Sequence, residues 1–343
     1  MKQIETLLEN KYDMAIQDIQ PMHAGNTTDK YRVMTDTNTF VLRIRSAGFN
    51  RRALSADHRF MSYLHEHNVP VPRIIRTMDD GTFVEDDGAL YELQSAIPHD
   101  GNLGDFEFPS VANDLFDVLG AFHRVSSTYP ETIEKPPYLG DSLIPIGPAE
   151  KYFYGPQQYG VPRYLAERDN LMRAQRAQFE RDIRRFQAYL DTVYAAYQRR
   201  RMVFPMLINH NDFYGNNVLF YNGSISGIVD FDFCRSGLYV IDLIEALHGS
   251  MVWHSEAARY LGITEKGDIR VDLARENLRR YFNHNPDFAY DGEFIIKFLI
   301  AKIISLAWYP AIDFFPTIDE KLEGFRRMKA VIRRLEEVHE IRL

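Results

Sequence analysis

Asn209-His210-Asn211-Asp212-Phe213-Tyr214-Gly215-Asn216-Asn217 is the stretch on which the fold of this chain turns. It sets an aspartate two residues after a histidine and an asparagine five residues after that aspartate, a pattern that gains meaning only from its surroundings. The surroundings read as a hairpin. Val218-Leu219-Phe220 and Ile225 to Val229 flank Tyr221-Asn222-Gly223-Ser224, and Asn-Gly between two apolar runs favours a two-residue turn. With Asn222 and Gly223 in the turn, Tyr221 pairs with Ser224, Phe220 with Ile225 and Asn217 with Ile228. Asp230 is then expected on the same face as Asn217, diagonally across the ladder at about 7–8 Å between backbones. An amide oxygen and a carboxylate at that separation suit Mg²⁺, which takes few protein ligands and fills its octahedron with phosphate oxygens and water. Asp212, at the mouth of the hairpin, faces this site without ligating it, where a carboxylate orients an acceptor hydroxyl and takes its proton.

Upstream, Lys30 to Thr35 and Thr39 to Arg45 alternate apolar and polar residues on either side of Asp36-Thr37-Asn38, so they predict an antiparallel hairpin. In its second strand Phe40, Leu42 and Ile44 share one face, which leaves Val41, Arg43 and Arg45 on the other. A helix follows from about Arg52 to His67, and Pro70 and Pro72 end it. Short strands resume around Asp79-Asp80-Gly81 and Asp86-Asp87-Gly88, and Pro98 to Gly104 reads as a linker. Beyond it Val111 to Val125, Leu165 to Arg200, Val271 to Phe282, Glu293 to Trp308 and Ile318 to Glu340 carry apolar residues at helical spacing. Met206 to Asp232 interrupts them with strands, and Pro136 to Pro162 reads as an irregular insert.

The expected fold is therefore α+β and bilobal: a small N-terminal antiparallel sheet with one main helix over residues 1–97, and a larger, mainly helical lobe over residues 98–343 that carries the hairpin. Composition agrees. At about 150 residues per domain, 343 residues make roughly two domains. Hydrophobic residues at 45% and aromatics at 13% supply a core, which excludes a mainly disordered chain. A net charge of −8 without a basic block argues against a nucleic-acid partner. One cysteine, Cys234, makes neither an internal disulfide nor a thiolate zinc site and fits a reducing compartment. Met1-Lys2-Gln3-Ile4-Glu5 has no apolar signal core, and Lys297 and Lys302 break the longest apolar run. The expectation is a cytoplasmic protein with no membrane partner; oligomeric state stays open.

His210-x-Asp212 with Asn217, Ile228-Val229-Asp230-Phe231-Asp232 and Tyr239-Val240-Ile241-Asp242-Leu243 resemble the catalytic segment of the aminoglycoside phosphotransferase, choline kinase and type II homoserine kinase family, small-molecule relatives of protein kinases. Ala24-Gly25-Asn26-Thr27 resembles that family's phosphate-covering turn and Phe40-Val41-Leu42-Arg43-Ile44 its cation-bearing strand. Val69-Pro70-Val71-Pro72, Tyr91 to Pro98 and Leu119-Gly120-Ala121-Phe122-His123 fall in family order. The resemblance implies a protein-kinase-like fold and ATP- and Mg²⁺-dependent transfer of a phosphoryl group to a hydroxyl of a small-molecule acceptor. In it Asp212 is the base, Asn217 and Asp230 hold the metal, and Asp242 braces the catalytic loop. Arg43 stands where the family often has lysine and steadies the phosphates, Gly25 and Asn26 cover them, and main chain around Ser95 to Ile97 meets adenine. The acid that pairs with the strand cation falls at Asp57, which shares the helix stripe of Leu54, Met61 and Leu64 and so needs a partner, with Arg43 the obvious one. Asp232 and Glu245 make an acidic lining suited to a cationic acceptor such as an amino alcohol, an amino acid or an aminoglycoside.

Plainer readings stand beside these. The Asx residues flanking the hairpin serve as turn formers elsewhere, His210 reads as a packed loop residue, and Asp242 either caps the following helix or braces the loop. The rival from another class is a kinase-shaped nucleotide-binding or structural protein without turnover; an intact Asp212, Asn217 and Asp230 argue against it. The short interval between Asp230 and Asp242 leaves no room for the long activation segment of a protein kinase.

Overall fold

The computed structural model describes residues 2–22, 28–46, 49–102, 108–134, 173–213, 217–248, 271–308 and 318–343. The chain divides into two compact units: Met1–Asn102 with Gly215–Cys234, and Leu103–Tyr214 with Arg235–Leu343. The hairpin that the sequence assigns to the C-terminal lobe is thus grouped with the N-terminal sheet. The insert expected at Pro136 to Pro162 and the turn at Gly25 and Asn26 lie outside the described residues.

In the first unit, α1 (Lys2–Tyr12) precedes β1 (Asp18–Met22), β2 (Asp29–Met34) and β3 (Thr39–Arg45), then α2 (Arg51–Glu66), β4 (Val84–Asp86) and β5 (Ala89–Ser95). The strands form one antiparallel sheet in the order β1-β2-β3-β5-β4. The sequence reading expects one helix here and the structure has two. Ile4, Leu7, Leu8 and Tyr12 form a helical stripe that covers the apolar sheet face of Val33, Phe40, Leu42, Tyr91 and Leu93. Pro21 sits in β1, an edge strand, where a missing N–H costs least. Asn50 caps α2 by accepting from the amides of Arg52 and Ala53.

Three further strands belong to this unit: β6 (Gly101–Asn102), β8 (Val218–Tyr221) and β9 (Ser224–Ile228), after β7 (Met206–Asn209) of the second unit. The turn is where Asn-Gly put it, with Asn222 and Gly223 at φ 52° and 78°. The register is not. Tyr221 faces Ser224 and Phe220 faces Ile225, but Leu219 then pairs with Gly227 and Val218 with Ile228. Ser226 is the extra residue of a β-bulge, so the ladder slips by one beyond it. Gly227 is needed there, since a Cβ would lie 2.3 Å from Cδ1 of Ile97.

The second unit pairs β7 with β10 (Arg235–Leu238) and surrounds the pair with helices. These are α3 (Phe108–Ser126), α4 (Arg173–Arg200), α5 (Val240–Leu247), α6 (Val271–His284), α7 (Gly292–Trp308) and α8 (Ile318–Val338). α3 packs on α6 and on β7, while α7 receives α4, α5 and α8. Phe294, Ile295, Ile296, Phe298, Leu299, Ile300, Ile303 and Ile304 are all buried, so α7 is apolar around most of its circumference, with the Glu293–Lys297 pair on its exposed side. Among the described residues no helix is long and apolar enough to cross a membrane.

Candidate active site

β7 delivers the chain to His210, Asn211 and Asp212 in the second unit. Asp242, in the first turn of α5 and fully buried, accepts the amide of His210 at 2.6 Å and that of Asn211 at 2.7 Å, one on each carboxylate oxygen. The N-cap of α5 is Tyr239, so Asp242 spends its carboxylate on the loop and not on a cap. Asn211 adopts φ 63°, a left-handed conformation that asparagine tolerates and that the two hydrogen bonds hold. On the other side Phe213 is fully buried and stacks on Phe122. Asp212, between these anchors, is half-buried. His210 is buried with its ring edge-on to Phe213, the packed residue that the plainer reading expects.

His123 and Tyr281 extend the brace. Nε2 of His123 lies 3.1 Å from Asp242 and Nδ1 lies 2.6 Å from the Tyr281 hydroxyl. An ionised carboxylate only accepts, so Nε2 carries the proton to Asp242 and Nδ1 accepts from Tyr281. Burial, reinforced by Tyr239 and Asp242, pushes the Tyr281 phenol well up, so it stays a donor. The segment Leu119 to His123 falls in family order, but nothing local in the sequence marks Tyr281.

The first unit holds Arg43, Asp57, Asn217, Asp230 and Asp232. Arg43 and Arg45 occupy the face of β3 away from the apolar set and are both buried. Across from Arg43 in β5 is Glu92. Its carboxylate lies 3.3 Å from Arg43, accepts from Nε of Arg45 at 2.8 Å and sits 2.5 Å from Nε2 of His58. Burial works against ionising Glu92 and is the largest influence, yet Arg45, Arg43 and His58 outweigh it and hold its carboxyl at about 2. Sequence reasoning missed Glu92. Two arginines on one buried strand face require carboxylates opposite them, and that rule points to the adjacent strand.

Arg43 also reaches Asp230 at 3.0 Å and Asp232 at 2.9 Å, and Arg45 grips Asp232 with both terminal nitrogens, at 2.9 and 2.6 Å. The expected Arg43–Asp57 pair is therefore replaced. Asp57 accepts from the Cys234 thiol at 3.2 Å, while Arg43 takes the carboxylates that β5 and the hairpin exit bring to it. Asp232 is corrected too. Two guanidiniums neutralise it in the interior of the first unit, so it is an internal ion-pair partner and not a lining for a cationic acceptor. Glu245 is likewise ion-paired, to Lys302 of α7, with both side chains buried.

Asn217 accepts the amide of Val229 on its carbonyl at 2.9 Å, so it stands opposite Val229 and not Ile228. Alternation alone would then turn Asp230 to the opposite face. Asp230, however, adopts φ 69° and ψ 65°, which ends the ladder, and its side chain goes to Arg43 and Lys30. The expectation of a shared face from simple register does not hold, because the bulge and the left-handed residue both intervene. Ser95 is a sheet residue whose amide donates to the Arg73 carbonyl, and the Ala96 amide donates to the Thr39 carbonyl, so these two amides are engaged within the first unit. The Ile97 carbonyl faces a ring nitrogen of His99 at 2.9 Å, and its side chain covers Gly227.

These donors suit the groups the resemblance implies. Asp230 is a partly exposed carboxylate beside two cations: its oxygens are hard donors of the kind Mg²⁺ takes, and the cations are of the kind phosphates take. Among the described residues no three His, Cys, Asp or Glu side chains gather into a metal cage, and Mg²⁺ does not require one.

Sheet, hairpin and braced His-x-Asp loop together define a protein-kinase-like phosphotransferase. The profile of the phosphotransferase enzyme family matches residues 18–279, and this chain belongs to that family. Membership carries ATP- and divalent-metal-dependent phosphoryl transfer to a small molecule. Homoserine kinase of Pseudomonas aeruginosa (strain UCBPP-PA14) is 24% identical over 285 residues, which cover 82% of this chain and 77% of that protein. Two solved structures share the fold. The amicoumacin kinase hAmiN in complex with AMP-PNP, Ca²⁺ and Ami superposes with a TM-score of 0.64 at 12% identity, covering 99% of this chain and 94% of that one. The microcompartment-associated aminopropanol kinase gives 0.62 at 13% identity, with 99% of each chain covered.

Proposed function

We propose that this kinase moves the terminal phosphoryl group of ATP to a hydroxyl of a small amino-bearing molecule, with Asp212 as the base. The carrying observation is the grip of Asp242 on the amides of His210 and Asn211, which holds Asp212 in place between fixed neighbours. Asp212 orients the acceptor hydroxyl and takes its proton as the oxygen bonds to the γ-phosphorus and the bond to the β-phosphate bridging oxygen breaks, releasing ADP. Asn217 and Asp230 are the residues assigned to Mg²⁺, which when bound neutralises charge on the phosphates. Arg43, whose charge is offset by three carboxylates, serves to fix Asp230 on the phosphate side of the site.

For the acceptor, homoserine kinase and aminopropanol kinase among the similar proteins favour a hydroxylated amino acid or amino alcohol. A single thiol engaged with Asp57 fits a reducing, cytoplasmic setting. The test is ADP release with a panel of amino alcohols, hydroxy amino acids and aminoglycosides, with Asp212→Asn as the blank. Acceptor-stimulated turnover by the wild type alone is expected; equal turnover by the blank refutes the base.

A further inference from the structure

Lys30 has no role in the reading above, yet it touches the carboxylate to which that reading gives the metal. It stands near the start of β2, in register with Arg43 of β3, and its Nζ lies 3.3 Å from Oδ2 of Asp230 while Nη2 of Arg43 lies 3.0 Å from Oδ1. The two cations differ in how firmly they are held. Arg43 is bound by Glu92, Asp230 and Asp232 with its side chain 5% exposed; Lys30 has the Asp230 contact, and its side chain is 16% exposed. Lysine is also a point charge on a flexible stem, suited to exchanging one anion for another, whereas Arg43 is immobilised by its fork of partners.

We propose that Lys30 is the mobile phosphate-binding cation of this enzyme, exchanging between the carboxylate of Asp230 and the nucleotide phosphates. This deepens the phosphotransferase reading and rests on it. Lys30, Arg43 and Arg45 face Glu92, Asp230 and Asp232 in equal number, so a divalent cation without nucleotide meets in Asp230 a carboxylate already partnered by two cations. Nucleotide phosphates, carrying several negative charges, draw Lys30 away and leave Oδ2 of Asp230 to the metal. A divalent ion at Asp230 in turn repels Lys30 toward the phosphates. By linkage, nucleotide and metal each raise the affinity for the other beyond their association in solution.

The experiment measures two equilibria on the full chain, neither of them turnover. AMP-PNP is titrated calorimetrically in excess EDTA, and Mn²⁺ without nucleotide is titrated by the loss of its free-ion EPR signal. Lys30→Ala is expected to weaken metal-free AMP-PNP binding by about tenfold, the value of one charge-assisted contact, while adenosine binding is unchanged. The same variant is expected to bind Mn²⁺ alone at least threefold more tightly, and Lys30→Arg to restore AMP-PNP affinity. Opposite signs in the two titrations are the signature, since a structural defect weakens both. Unchanged affinities, or parallel losses in Lys30→Ala and in Lys30→Gln, which keeps the aliphatic stem, overturn the proposal while wild-type AMP-PNP binding preserves the kinase reading. A wild type that binds no AMP-PNP removes the kinase reading and this inference with it.

Discussion

Replacing Glu92 by glutamine removes one buried negative charge and leaves the side-chain shape almost unchanged. Arg43, Arg45 and His58 then lose their shared carboxylate inside the first unit, where the arginines and Glu92 are almost fully buried. Two routes give the cost. A carboxyl lowered from 4.5 to about 2 represents about 3 kcal/mol of preference for the ionised form in the folded chain. Breaking a buried ion pair by deleting one partner costs about 3–5 kcal/mol. The routes agree near 3 kcal/mol, a large part of the ordinary stability of a folded domain. The assay is urea unfolding followed by circular dichroism at pH 7, repeated toward acid. A carboxyl whose folded-state value is depressed contributes stability that is complete above about 4.5 and lost as the pH falls toward 2. The gap between wild type and Glu92→Gln should therefore be widest at neutral pH and close across that window. Asp80→Asn, at an exposed carboxylate paired with Arg76, should leave the midpoint where it is. A loss below about 1 kcal/mol for Glu92→Gln at pH 7, or a gap that persists at pH 2, refutes the view that this carboxylate keeps the two arginines inside.

Tyr281→Phe removes the hydroxyl donated to His123 and should lower kcat about fivefold with AMP-PNP affinity unchanged, since it loosens the loop brace and not the nucleotide site; equal kcat values from steady-state kinetics would remove Tyr281 from the brace. His248 is held at about 3 by burial first and Lys302 second, against the pull of Glu245. Below its ordinary value of 6.5 the unfolded chain gains a proton that the native chain refuses, so stability should decline from pH 6.5 toward 3, and His248→Gln should flatten that decline in urea titrations. Gly227→Val should destabilise by about 1–3 kcal/mol because its side chain meets Ile97, and Ile97→Ala in the same chain should recover most of the lost melting temperature.

Local chemistry carried much of this protein into view from the sequence. The Asn222-Gly223 turn, the β2–β3 hairpin, helix α2 and the main helices of the second unit follow from turn propensity and apolar periodicity, which act over a few residues. The order of short motifs along the chain identified the family and the His-x-Asp loop. What periodicity could not supply was the partner of each buried charge. Arg43 bonds to Asp230 and Asp232 and ion-pairs with Glu92, all far away in sequence, and Asp57 accepts from Cys234. The acids read as an acceptor lining, Asp232 and Glu245, are bound to cations from other elements. One bulge at Ser226 and one left-handed residue at Asp230 undo a register argument built on alternation, because a single extra residue reverses every later side chain. Composition and spacing therefore determined which elements form and which chemistry the chain carries. Tertiary structure decided which charges meet, since a buried ion takes the opposite charge that packing brings within reach, whatever its distance along the chain.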